Sequence, residues 1–253
     1  MTAFGATELL ADCGLIVAAG GSSSRFGHGN KLLMDIAGLP VFCHCLRAFL
    51  PLLPAGHAVL VVPGVSEPLF AAALAAAGWG ERVRLVPGGA SRQASVQAGL
   101  AALPAAATIV AVQDAARPLA TAELLARCVA SARACGSGVA AHRVVDTIKA
   151  ATAEGAVTAT PDRRALWAAE TPQVFRRDWL AAAYELVARD GLEVTDDAQA
   201  VQLAGHPVQL VESQQDNLKI TRAADLLFAN FILTQRRAEA SEGLAQRLQA
   251  FGG

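Results

Sequence analysis

"GLIVAAGGSSSRFGHGNKLL", residues 14–33, passes from an unbroken apolar run into glycine and serine, then delivers Arg25 and Lys31. The apolar run reads as a buried strand. Glycines straight after a strand let backbone N–H groups approach an anion. Three familiar loops begin this way, and the residues exclude each. A P-loop closes on Gly-Lys-Ser/Thr, whereas Lys31 stands between Asn30 and Leu32. A dinucleotide loop needs Gly-x-Gly-x-x-Gly directly off the strand, and Gly27-His28-Gly29 comes too late. A Gly-x-Ser-x-Gly nucleophile elbow is absent. What remains is Ala-Gly-Gly-x-x-x-Arg-x-Gly with a lysine six residues after the arginine.

Outward from this loop, "HAVLVVP" (57–63), "VRLVP" (83–87) and "ATIVAVQD" (107–114) read as further buried strands. They alternate with the helical stretches "PVFCHCLRAFLPL", "SEPLFAAALAAAG" and "SRQASVQAGLAAL". Ser66 and Ser91 are expected as N-caps, with Gly78 at a helix end. This alternation implies a Rossmann-like α/β fold: a mostly parallel sheet with helices on both faces. Ligands of such sheets lie beyond the carboxyl ends of the strands, so the loops after residues 19, 87 and 113 are expected to converge.

The rhythm breaks after residue 138. "TIKAAT" and "AVTATP" flank Ala153-Glu154-Gly155 and read as a hairpin. A two-stranded ribbon is marginal alone, so the arm spanning 144–168 is expected to pack on a second subunit, giving a homodimer. Helices at "DWLAAAYELVARDG" and "TDDAQAVQLAG", a strand at "HPVQLVES" and a long helix from about Thr221 complete the chain, with Thr195-Asp196-Asp197 and Thr221 as helix starts. One domain, residues 1–253, is expected.

The totals agree. Hydrophobic residues make up 53% and charged residues 17%, enough for a large core, and the net charge of −1 argues against a nucleic-acid surface. Five cysteines without framework spacing read as reduced thiols in the core, and "CHC" at 43–45 has no second metal-ligand pair. No Lys or Arg precedes Arg25 and no apolar run approaches the ~18 residues of a membrane span, so a soluble, cytoplasmic protein is expected.

Polar clusters are few: "GGASRQASVQAGL" (88–100), "QDAARP" (113–118), "VVDTIK" (144–149), "DRRALWAAETPQVF" (162–175), "TDDAQAVQ" (195–202) and "DNLKITRAADL" (216–226). Asp114, at a strand's carboxyl end, suits Mg²⁺ on a triphosphate. In this order and spacing the clusters resemble the 2-C-methyl-D-erythritol 4-phosphate cytidylyltransferase family over residues 14 to 230. "DAARP", the block from Arg163 to "LWAAETPQ" and "DNLKIT" are the most specific pieces. The chain departs from the family's usual Ala-Ala-Gly-x-Gly, having Ala19-Gly20-Gly21-Ser22-Ser23, and from Pro-Lys-Gln, having Asn30-Lys31-Leu32.

The resemblance implies transfer of CMP from CTP to methylerythritol phosphate, with release of pyrophosphate. It implies that Arg25 and Lys31 stabilise the transition state and that Asp114 holds Mg²⁺. Lys219 and Arg163 would fix the attacking phosphate, Arg163 from the partner's arm. Arg117, Thr147 and Thr171 would complete the substrate pocket, and Ala19, Gly20, Gly21, Gly89 and Ser95 would hold the cytidine. No general base is expected, because the attacking phosphate oxygen is already anionic. Two alternatives stay open: another polyol phosphate acceptor such as ribitol 5-phosphate, and a non-catalytic nucleotide-binding module. A molybdopterin cytidylyltransferase fits the glycine loop but leaves "DAARP" and "DRRALW" unexplained.

Overall fold

The computed structural model describes residues 10–20, 30–213 and 216–251, the side chains of 242–251 excepted. Seven strands form the central sheet: β1 (Cys13–Ala18), β4 (Ala58–Val62), β5 (Val83–Pro87), β6 (Ile109–Asp114), β7 (Ser137–Arg143), β10 (Trp167–Arg176) and β11 (Leu210–Glu212). Their order is β11-β7-β10-β6-β1-β4-β5. β1 pairs in parallel with β4 and β6, and β4 with β5. β10 is antiparallel to both neighbours, while β11 is parallel to β7. The mostly parallel sheet read from the sequence is therefore present. The ribbons β2 (Asp35–Ile36) with β3 (Leu39–Pro40) and β8 (Ala150–Ala151) with β9 (Val157–Ala159) stand apart from it.

Helices cover both faces because the central strands are apolar on both sides. α1 (Val41–Phe49), α2 (Glu67–Ala76), α4 (Ala122–Cys135) and α7 (Ala223–Phe251) pack with Leu15 and Val17 of β1. α3 (Arg92–Ala102), α5 (Arg177–Arg189) and α6 (Asp197–Leu203) pack on the opposite face with Ile16. Successive residues of β1 thus feed different cores, as a period of two requires. Gly99 lets α3 sit tightly on the sheet: a Cβ there would come within 2.6 Å of Ile16 Cγ2 and 3.0 Å of Val61 Cγ2.

Several local expectations hold. Ser91 Oγ accepts from Ala94 N–H at 3.1 Å and caps α3. Asp196 caps α6, accepting from Gln199 N–H at 2.9 Å. Others need correction. Ser66 occupies the position before α2 but makes no capping bond, because a 3-10 turn over Gly64–Ser66 already leads into the helix. At α7 the direction is reversed: the Asp225 carboxylate reaches back and accepts from Thr221 N–H, Thr221 Oγ–H and Arg222 N–H, and the helix starts at Ala223. The strand read over 206–213 shrinks to three residues, paired with β7. All five cysteines are free, and four are buried, but Cys135 at the end of α4 is exposed rather than in the core. Among the described residues no helix is long and apolar enough to cross a membrane.

Candidate active site

The loops after β1, β5 and β6 converge at the carboxyl edge of the sheet, as expected. They enclose a cavity of about 120 Å³ lined in part by Ala19, Gly20, Lys31, Arg92, Asp114 and Lys219. Asp114 ends β6 beside β1 and is the cavity's one carboxylate among its lining residues. Its Oδ2 lies 2.7 Å from Lys219 Nζ and 4.0 Å from Arg117 Nε, and its Oδ1 is 3.8 Å from Arg92 Nη2. Burial opposes the charge on this carboxyl, but Lys219, Arg92 and Arg117 outweigh burial and hold its pKa below the usual carboxylate range.

Arg92, in the first turn of α3, takes its geometry from behind. Its guanidinium forks onto Asp197 at 2.9 and 2.6 Å, and that wholly buried carboxylate also accepts from the Tyr184 hydroxyl. Burial works against the Arg92 charge; Asp197 first and Asp114 next overcome it and raise the pKa. The sequence pattern gives Arg92, within "GGASRQASVQAGL", no role of its own and marks Asp197 only as part of a helix start. The available signal was position: Arg92 follows the cap residue of the helix directly after β5.

Lys31 Nζ donates to Ile220 O at 2.8 Å, which ties the segment after the glycine loop to the one carrying Lys219. Ser95 is buried, with Oγ–H donating to Ser91 O at 2.9 Å and accepting from Gly89 N–H at 3.2 Å. Gly89 cannot carry a side chain here, since a Cβ would lie 2.4 Å from that of Ala94. The Ala19 N–H bonds Val61 O at 2.8 Å and so extends the β1–β4 ladder. Thr171 is buried on β10, where its Oγ1 accepts from Asp114 N–H at 3.1 Å. Arg117 turns inward, donating to Asn217 O at 2.7 Å, with its Nη1 3.6 Å from Glu170.

Thr147 and Arg163 are not brought to this cavity within one chain. Both stand on the arm, where every residue from 145 to 165 is exposed, and Arg163 Nη1 donates to Val145 O at 2.6 Å. Gly21 and Arg25 lie outside the described residues. Among the described residues, Lys31, Arg92 and Lys219 thus face one carboxylate, Asp114, in the cavity, an excess of positive charge suited to a polyanion. Among the described residues no His or Cys lines the cavity.

Fold and site together are those of a Rossmann-like nucleotidyltransferase. Residues 13–235 match the family model for 2-C-methyl-D-erythritol 4-phosphate cytidylyltransferase, and the chain belongs to that family. It is 40% identical over 228 residues to the 2-C-methyl-D-erythritol 4-phosphate cytidylyltransferase of Synechocystis, covering 90% of this chain and 99% of the relative. The crystal structure of that enzyme from Thermus thermophilus superposes with a TM-score of 0.73 at 32% identity, covering 87% of this chain and 97% of the other. The 4-diphosphocytidyl-2C-methyl-D-erythritol synthase of Anaerococcus prevotii gives a TM-score of 0.76 at 26% identity, covering 88% and 98%.

Proposed function

We propose that this chain transfers CMP from CTP to 2-C-methyl-D-erythritol 4-phosphate, giving CDP-methylerythritol and pyrophosphate. The observation that carries the reading is the set of cations, Lys31, Arg92 and Lys219, gathered round Asp114 at the carboxyl edge of the sheet. The nucleophile is a phosphate oxygen, anionic at neutral pH, so catalysis consists of bringing two polyanions together and stabilising charge on the α-phosphorus. A cavity lined by Lys31, Arg92 and Lys219 suits that task.

In this reading Lys31 and Arg25 stabilise the transition state, Arg92 holds the triphosphate, and Lys219 leaves Asp114 to take the acceptor's phosphate. Ala19, Gly20, Gly21, Gly89 and Ser95 form the cytidine pocket. Thr171 and Arg117 support the acceptor side by fixing Asp114 and the Asn217 segment. Mg²⁺ fits the donor set: Asp114 offers a carboxylate in the cavity, and Mg²⁺ needs few protein carboxylates because waters and substrate phosphates complete its shell. Asp114 would hold it, and when bound it would neutralise charge on the triphosphate.

We read residues 1–253 as one domain working in the cytoplasm, with the arm, 144–168, clasping a second copy. Val145 and Val157, 61% and 60% exposed on the single chain, support that clasp. Arg163 and Thr147 then reach the partner's acceptor pocket. The test is pyrophosphate release with each NTP against methylerythritol phosphate and ribitol 5-phosphate, with and without Mg²⁺. Release with CTP, methylerythritol phosphate and Mg²⁺ is expected. Activity only with ribitol 5-phosphate would overturn the acceptor, and no release with any pair would leave a nucleotide-binding module.

A further inference from the structure

Lys219 meets Asp114 from a segment, residues 216–221, that belongs to no helix or strand. A lysine is a point charge on a flexible four-carbon stem, so where its ammonium spends its time depends on how firmly its backbone is held. The backbone here is held through Asn217, two residues earlier and 2% exposed. The Asn217 Nδ2 donates to Thr171 O at 2.9 Å and to Glu170 Oε2 at 2.9 Å. The Asn217 main-chain carbonyl accepts from Arg117 Nη1 at 2.7 Å. Glu170 is buried too, and it also accepts from Ser213 Oγ–H at 2.6 Å and His142 Nδ1 at 2.8 Å. Past Lys219, Ile220 N–H donates to Ala116 O at 2.8 Å.

The bonds made by the side chain all use its donors. Asn217 Oδ1 is buried and has no hydrogen-bond partner among the described residues. What the amide uniquely supplies is two N–H bonds to consecutive residues of β10, the second of which, Thr171, also holds the Asp114 backbone. One strand therefore carries the anchors of both Asp114 and the Lys219 segment.

We propose that Asn217 is a positioning residue for the reaction: by pinning its segment to Glu170 and Thr171, it sets the reach of Lys219 to the acceptor's phosphate. This rests on the reading of Lys219 given under Proposed function.

A double-mutant cycle tests it, with steady-state kinetics and thermal melts of the full chain and of Asn217→Ala, Lys219→Ala and the double variant. Asn217→Ala is expected to lower kcat/KM for the acceptor by ~10²-fold, the usual effect of a misplacement near 1 Å. The KM for CTP should stay within ~3-fold. In the Lys219→Ala background the same change should cost less than ~3-fold, since residues acting through one group are not additive. The full loss in both backgrounds, or equal rises in both KM values, would mark Asn217 as a general structural residue and overturn the proposal. If Asn217→Ala does not fold, Asn217→Asp carries the cycle: it keeps the shape but sets acceptors against Glu170 and Thr171, with the same expected and overturning results. A wild-type chain that releases no pyrophosphate overturns the function reading itself, and with it this one.

Discussion

Replacing Lys31 by alanine separates the chemical role of the site from its architecture. In the folded chain the Lys31 ammonium donates to Ile220 O at 2.8 Å. A hydrogen bond involving a charged group contributes about 1.5–3 kcal/mol, which sets the scale of what Lys31→Ala loses from this bond. For a chain of this size that corresponds to a melting point lower by roughly 3–12 °C. Such a loss leaves a stable domain almost wholly folded at 25 °C and barely changes the concentration of active enzyme. If Lys31 also stabilises charge developing on the α-phosphorus, its removal costs a further ~3 kcal/mol of transition-state stabilisation, or ~10²-fold in kcat. The assay is pyrophosphate release at saturating CTP and acceptor, beside a thermal melt of the same preparation. A fall of ~10²-fold in kcat with a modest shift in melting is expected. A kcat within ~3-fold of wild type would refute the reasoning, since an electrostatic contact at the reacting centre cannot be that cheap.

Three further outcomes follow from the same geometry. Gly99→Ala should destabilise the chain by about 1–3 kcal/mol, seen as a lower urea midpoint with unchanged slope, because the added methyl meets Ile16 and Val61 at overpacked distances. Thiol labelling of the native chain should stop at one site, Cys135. Burial excludes reagent from Cys13, Cys43, Cys45 and Cys128 and pushes each thiol up to about 12; modification of a second cysteine before unfolding would contradict the packing. Asp114 has a folded pKa below its unfolded one, so its stabilising contribution is present above the unfolded value and is lost as pH falls through the folded value. Wild type should therefore lose more stability on acidification below the ordinary carboxylate range than Asp114→Asn does; parallel urea-midpoint curves for the two would argue against a lowered pKa.

The sequence alone determined the alternation of strands and helices from β1 to β6, because buried parallel strands are continuous apolar runs and a helix such as α3 carries a recognisable cap in Ser91, but it did not reveal α4, β7 or β10. It also determined which loops meet, because the handedness of strand–helix–strand units puts the carboxyl ends of parallel strands on one edge. Asp114 and Lys31 were legible for that reason, and Lys219 through the resemblance carried by "DNLKIT". Tertiary structure decided what each polar group does once there. That Arg92 is aimed by a buried Asp197 far along the chain, and that Thr171 and Asn217 hold the neighbours of the site, depends on side-chain distances no local pattern encodes. The same is true of α7, where a carboxylate reaching back from Asp225 replaced the expected threonine cap. Local propensity and periodicity act along the chain, whereas hydrogen-bond partners and desolvation are set across it. The chain's pattern therefore fixed where the site would be, and only folding fixed how its charges are held.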